Sequence, residues 1–68
     1  MNTQNTINRQ DIKKGSLILV WDGRQLVKRK VLNVETTFTG EEYYIIHFKY
    51  GARTVTGGVY FQDIKKVF

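Results

Sequence analysis

Residues 17–23 read Leu-Ile-Leu-Val-Trp-Asp-Gly, an apolar run that ends at a turn signal. A run of this length is long enough for a β-strand and too short for a helix, so it predicts a central strand. Asp-Gly between two extended segments is a strong hairpin signal. We therefore expect an all-β domain that is built outward from this strand and its hairpin.

The second strand is predicted to start near residue 25 and to run toward residue 35. Val31 and Val34 are three positions apart, so the alternation of apolar and polar residues slips between them. One extra residue in a strand resets the alternation. The slip therefore indicates a bulge or a sharp bend near residues 32–33.

The clearest alternation lies in residues 42–49. Tyr44, Ile46 and Phe48 fall on one face of an extended chain, and the residues between them fall on the other. This segment predicts a strand that is covered in part on both faces. Residues 36–41 read as the loop that precedes it.

Two adjacent glycines interrupt the next extended segment. Gly57 and Gly58 have no side chains to pack, so we expect a corner there rather than the middle of a strand. Residues 62–64 then resemble a single helical turn, and residues 65–68 a last short strand.

Length and composition allow one small domain. The chain has 68 residues and no cysteine, which argues against disulfides and thiolate metal sites and favours a reducing, cytoplasmic setting. Residues 1–11 are predicted to be a disordered polar tail, and residues 12–68 the folded domain. The opening residues contain no continuous apolar stretch, so neither a signal peptide nor membrane association is expected.

The chain is strongly basic, with a formal net charge of +5 and a sequence pI near 9.8. Such an excess on a small body favours polyanionic partners such as nucleic acid or an acidic protein surface. Surplus lysines that only keep the protein soluble are the competing interpretation.

The landmarks of the pattern follow one another in a fixed order: Gly15, Trp21, Asp22-Gly23, Val31, Val34, Tyr44, Ile46, Phe48, Tyr50-Gly51 and Asp63-Ile64. This order resembles the SH3-like barrel superfamily and, within it, the Tudor branch, with KOW-like modules as an alternative. The resemblance covers residues 12–68. It implies a small, strongly bent, five-stranded antiparallel barrel with a short helical turn before the last strand.

The Tudor resemblance also implies an aromatic surface. Tudor domains that bind methylated lysine or arginine use a cage of aromatic rings, which attract a cation through their π-systems. Trp21, Phe48 and Tyr50 match three walls of such a cage, whereas Leu26 or Val27 stands where another ring belongs. Trp21 and Phe48 are equally compatible with a place in the core.

The densest positive charge lies just after the hairpin. Lys28 and Lys30 project from the same face of an extended strand, about 7 Å apart. This distance is comparable to the spacing of phosphates along a nucleic-acid strand. A solvated edge that prevents strand pairing is the alternative for such a strand. Tyr43 and Tyr60 would add stacking positions or merely cover the core. The candidate nucleic-acid-binding residues are Lys13, Lys14, Arg24, Lys28, Arg29, Lys30, Lys49, Arg53, Lys65 and Lys66.

Catalysis is not expected. His47 is the only histidine and Ser16 the only serine, and they are far apart in sequence. Phosphate loops, dinucleotide fingerprints and metal-ligand spacings do not occur in the sequence, so we expect no cofactor and no metal.

Two functions remain open. The first is a non-enzymatic, regulatory module that binds the backbone of DNA or RNA. The second is a Tudor-like protein-interaction module or inhibitor that docks on an acidic partner through its aromatic and basic surface. Both are compatible with a monomer or a homodimer.

Overall fold

The computed structural model describes residues 9–68. This part of the chain contains two antiparallel sheets of three strands each. The predicted all-β class is therefore confirmed. The elements are, in chain order, a 3₁₀ helix (Arg9–Asp11), β1 (Leu17–Trp21), β2 (Leu26–Lys30), β3 (Asn33–Thr36), β4 (Glu42–Tyr50), β5 (Arg53–Tyr60), a second 3₁₀ helix (Phe61–Asp63) and β6 (Ile64–Val67).

The first sheet has the order β2-β1-β6, and β1 is its central strand, as the sequence predicts. The hairpin from β1 to β2 is closed by Asp22. Its carboxylate oxygen Oδ1 accepts hydrogen bonds from the backbone N–H groups of Arg24 and Gln25, at 2.8 and 2.9 Å. Gly23 follows with a φ of 102°, a backbone conformation that side chains disfavour. The Asp-Gly signal therefore marks a true hairpin.

The predicted long second strand is two strands, because the chain changes sheet between Val31 and Leu32. The backbone N–H of Val31 donates to the carbonyl of Ser16 at 2.8 Å, and its carbonyl accepts from the N–H of Gly15 at 2.8 Å. The N–H of Leu32 donates instead to the carbonyl of Ile45 on β4, at 2.7 Å. We call this pair of residues the crossover. The irregularity predicted near residues 32–33, a bulge or a sharp bend, is thus a change of sheet.

The prediction of a closed five-stranded barrel is wrong. The structure has six strands, and its two sheets are not closed into a barrel. In residues 9–68 every strand ladder stays within one sheet, β2-β1-β6 or β3-β4-β5. The physical reason lies at the crossover. Both backbone polar groups of Val31 bond to residues just before β1, so Val31 cannot also bond to β4. The β3-β4 ladder therefore ends at Leu32 and does not continue into β2.

The core comes from the facing sides of the two sheets. Ile18 and Val20 of β1 and Tyr44 and Ile46 of β4 are each 0% exposed. The predicted alternation of β4 is confirmed, since Tyr44 and Ile46 are buried and Phe48 packs against them. Burial raises the pKa of Tyr44, and the Glu42 carboxylate raises it further. The Arg9 guanidinium lowers this pKa by a smaller amount. The other buried residues are Ile12, Val31, Val59 and Ile64.

The predicted corner at Gly57 and Gly58 is also wrong. Both glycines lie within β5 and pair with Ile46 and Ile45 of β4. A Cβ on Gly57 would lie 2.8 Å from Cε2 of Phe48, and a Cβ on Gly58 would lie 2.8 Å from Cδ2 of Tyr43. The missing side chains therefore leave room for one ring on each face of the sheet.

Two short helical turns lie before β1 and after β5. The turn before the last strand spans residues 61–63, one residue earlier than predicted, and the last strand follows it as β6. The predicted disordered tail, 1–11, lies outside the described residues except for its final part, Arg9–Asp11. There the guanidinium carbon of Arg9 lies 4.9 Å from the centre of the Phe61 ring.

Neither 3₁₀ helix of the described chain has the length and apolar character needed to cross a membrane.

Replacement of Gly57 by Ala is expected to lower the free energy of unfolding by about 1–3 kcal/mol, because the added methyl group overpacks the Phe48 ring. Urea unfolding of Gly57→Ala, Phe48→Leu and the double variant forms a thermodynamic cycle. The smaller leucine leaves space, so Gly57→Ala should cost less in the Phe48→Leu protein. Strictly additive costs would contradict the assigned packing.

The hairpin carboxylate predicts a pH dependence. Hydrogen bonds from the backbone of Gln25 and Arg24 hold the pKa of Asp22 below its usual value. Ionised Asp22 therefore stabilises the fold fully at pH values above its unfolded-state pKa of about 3.9. This contribution is lost as the pH falls through the lower folded-state pKa. Asp22→Asn keeps an acceptor oxygen but removes this dependence. NMR titration of the Asp22 carboxyl carbon measures the shift, and a midpoint at or above the usual value would refute it.

Candidate nucleic-acid interface

The solvent side of the first sheet carries lysines and exposed apolar side chains together. In β1 the buried residues Ile18 and Val20 alternate with the outward ones, and β2 continues the same face by its register with β1. We call this surface the outer face. Its residues are Leu17, Leu19, Trp21, Leu26, Lys28, Lys30, Lys66 and Phe68.

The strand register brings two lysines from distant parts of the sequence together. Lys28 of β2 and Lys66 of β6 both pair with Leu19 of β1, so one row of the sheet reads Lys-Leu-Lys. The Nζ atoms of Lys28 and Lys66 lie 4.7 and 5.0 Å from the centre of the Phe68 ring. Phe68 is held over this row, since its N–H donates to the carbonyl of Leu17 at 2.9 Å. Cation-π contacts thus position both ammonium groups.

The outer face has no acidic residue. Lys28, Lys30 and Lys66 supply its charge, while the acidic side chains Glu35 and Glu42 belong to the second sheet. Large apolar side chains are exposed between the lysines, with Trp21 at 54%, Leu26 at 49% and Phe68 at 51%. A surface of this composition attracts anions and offers apolar contact area beside them.

Arg29 does not belong to the outer face, although the sequence places it among the candidate binding residues. Its Nε donates to the carbonyl of His47 on β4 at 2.9 Å, and its Nη1 donates to the carbonyl of Lys28 at 2.8 Å. The guanidinium thus bonds to a β4 carbonyl close to the crossover. Arg29 thus joins the two sheets.

Five other basic residues are spread over three places. Lys13 and Lys14 lie in the turn next to Gly15, which pairs with Val31, and so flank the outer face near Lys30. Arg24 lies in the hairpin at the opposite end of β2. Lys49 and Arg53 lie in the β4-β5 hairpin of the other sheet.

The aromatic residues of the predicted cage are not brought to one face. The Trp21 side chain projects from the outer face of the first sheet, whereas Phe48 lies on the core side of the second sheet, over Gly57. Tyr50, 59% exposed, lies at the β4-β5 hairpin. Tyr43 and Tyr60 pair across β4 and β5 with ring centres 6.1 Å apart, so these two rings contact each other.

A depression of about 530 Å³ adjoins the outer face and shares Trp21 with it. Val59, Asp63 and Lys65 supply the other lining side chains. Lys65 is the extra residue of a β-bulge, because Leu19 pairs with Lys66 while Val20 pairs with Ile64. A bulge of this kind redirects a side chain out of the regular alternation of the strand.

The residues considered for catalysis serve structural roles or stand apart. Ser16 Oγ accepts from the N–H of Lys13 at 3.0 Å and contacts the carbonyl of Asp11 at 3.4 Å, which fixes the turn before β1. His47 is exposed on β4 of the other sheet. Within residues 9–68, no three histidine or acidic side chains come together as a metal site would require.

Comparisons of this chain with protein-family models, with curated proteins and with solved structures find no match.

Sequence reasoning identified Lys28, Lys30 and Lys66 but missed Phe68, around which two of them converge. It also missed the depression beside Trp21. No local signal marks the bulge at Lys65, because the register of β6 against β1 creates it.

Loss of the Arg29 side chain is expected to destabilise the fold. Arg29→Met removes a charged hydrogen bond to the His47 carbonyl and should lower the free energy of unfolding by about 1–3 kcal/mol. Arg24→Met in the exposed hairpin removes the same charge and is the matched control. Equal stability of the two variants in urea unfolding would show that Arg29 does not join the sheets.

Proposed function

We propose that this protein binds nucleic acid through the outer face, with phosphates held by Lys28, Lys30 and Lys66. The observation that carries the proposal is a sheet face with three lysines and no acidic side chain. Lysine ammonium groups neutralise phosphates and release condensed counterions, which is the dominant source of affinity in backbone binding. The formal net charge of +5 adds long-range attraction.

The spacing of the lysines supports backbone contact. Lys28 and Lys30 lie two residues apart on one face of β2, about 7 Å by strand rise. Lys66 stands across the sheet from Lys28, on the far side of Leu19. Lys14 and Arg24 extend the positive surface past the two ends of the face. Such a surface tracks a chain of phosphates without reading the sequence of bases.

The order of elements also supports the proposed SH3-like relationship. A short helical turn comes directly before the last strand, as that resemblance implies. We extend the proposal to a regulatory, non-enzymatic role. We place this role in the cytoplasm, because the cysteine-free composition favours a reducing compartment.

An acidic protein partner is the second candidate. The exposed apolar side chains favour it, since Trp21, Leu26 and Phe68 form the kind of rimmed apolar area that protein interfaces use. Such a partner would be anchored on Trp21 and surrounded by the lysines. Methylated peptides are a less suitable ligand, because Trp21 and Phe48 lie on different faces.

Binding to a generic oligonucleotide is expected to weaken steeply with salt, and the slope should depend on the outer face. Each phosphate contact contributes about 0.7–0.9 to the slope of log K against log salt. Lys28→Gln with Lys30→Gln should therefore reduce the slope by roughly 1–2. Fluorescence anisotropy titrations at salt concentrations from about 50 to about 200 mM give the slope.

Lys49→Gln with Arg53→Gln is the matched control for this experiment, since it removes the same charge from the other sheet. Its slope should stay close to that of the unaltered protein. Equal loss in both double variants would show that net charge alone drives binding. No binding by any of these proteins would favour the acidic protein partner.

A further inference from the structure

We propose that the depression beside the outer face holds one unpaired guanine base of a single-stranded nucleic acid. The inference rests on the proposed function and names its substrate more closely. The depression measures about 530 Å³ and is lined by Trp21, Val59, Asp63 and Lys65. It therefore combines a large ring, an apolar wall, a hydrogen-bond acceptor and a donor.

Trp21 provides the surface on which a base stacks, because its side chain is 54% exposed. Val59 is nearly buried and adds an apolar floor beside the ring. Stacking on an aromatic ring stabilises single-strand binding by about 1–3 kcal/mol for each base. In a duplex both faces of a base are already stacked on its neighbours. Occupation of the depression thus requires a strand whose base is free to leave the stack.

Asp63 gives the depression a fixed acceptor. Its Oδ2 accepts from the backbone N–H of Tyr60 at 2.9 Å, which ties the carboxylate to the turn before β6. A carboxylate accepts hydrogen bonds and donates none. Guanine presents two neighbouring N–H donors, at N1 and N2, on its pairing edge. Thymine and uracil present carbonyl oxygens on both sides of a single N–H, which the carboxylate repels.

Lys65 supplies the complementary donor. The bulge in β6 directs Lys65 to the depression, while the next residue, Lys66, lies on the outer face. An ammonium group in this place matches O6 of guanine, the oxygen next to its N1–H. Adenine and cytosine have an amino group at the corresponding position and would oppose the ammonium. The pair Asp63 and Lys65 therefore favours guanine over the other bases.

The depression and the outer face form one continuous path. Trp21 belongs to both, and Lys65 and Lys66 are consecutive residues. A strand whose guanine stacks on Trp21 can place its neighbouring phosphates on Lys66 and then on Lys28, which share the Phe68 ring. Base recognition at one end is thus combined with backbone contact along the sheet.

The experiment uses the fluorescence of Trp21, the only tryptophan of the chain. The protein is titrated with a thymine nonamer, with the same oligonucleotide carrying one central guanine or one central inosine, and with a duplex of equal length. We expect the guanine strand to quench Trp21 and to bind about tenfold more tightly than the all-thymine strand. Inosine lacks the N2 amino group and should fall between the two.

Asp63→Asn tests the acceptor while retaining an oxygen for the Tyr60 N–H. This variant should lose the guanine preference yet keep the salt dependence, which arises from the lysines. Glu41→Gln, in the loop before β4, removes the same charge and is the matched control, with the preference intact. Circular dichroism of both variants checks that the fold is retained.

The outcomes separate this inference from the proposed function. Equal affinity for all single strands, or tight binding without quenching of Trp21, would overturn the guanine site and leave backbone binding in place. Stronger binding to the duplex than to the guanine strand would also overturn the guanine site and leave backbone binding in place. The absence of binding to every oligonucleotide would overturn both. Guanine preference that survives in Asp63→Asn would rule out the assigned acceptor.

Discussion

The architecture depends on how the backbone polar groups of two consecutive residues are satisfied. Val31 bonds to the β1 side through both its N–H and its carbonyl, and Leu32 bonds to Ile45 of β4. Because buried backbone groups must find partners, this division commits the chain before it to one sheet and the chain after it to the other. Val31, 1% exposed, also anchors the join in the core. Arg29 reinforces it through the His47 carbonyl.

The separation of the two sheets also leaves the outer face without acidic side chains. Lysines gather on the outer face of the first sheet, and Glu35 and Glu42 lie on β3 and β4 of the second. A net charge spread evenly over the surface would attract polyanions without orienting them. Concentration on one face, beside exposed apolar side chains, would give the proposed polyanionic ligand one orientation. The cation-π contacts of Lys28 and Lys66 with Phe68 keep two of these charges in place.

Much of the fold follows from local patterns in the sequence. The apolar run of β1, the Asp-Gly hairpin and the alternation of β4 were predictable because each is decided by neighbouring residues. The crossover, the role of Gly57 and the bulge at Lys65 were not, because each depends on a partner strand. Gly57 looks like a corner until the Phe48 ring is seen to cover it. For the same reason the lysines were identified, whereas their convergence on Phe68 and the depression beside Trp21 were not.

The alternation along β1 has a further consequence for how this protein can change over evolutionary time. Ile18 and Val20 are fully buried, while Leu17 and Trp21, on either side of this pair, face the solvent. The fold constrains the first pair, whereas the second pair lies on the surface that we propose as a binding face. The chemistry of that surface can thus change by substitutions at alternate positions of one short strand while the hydrophobic interior stays the same.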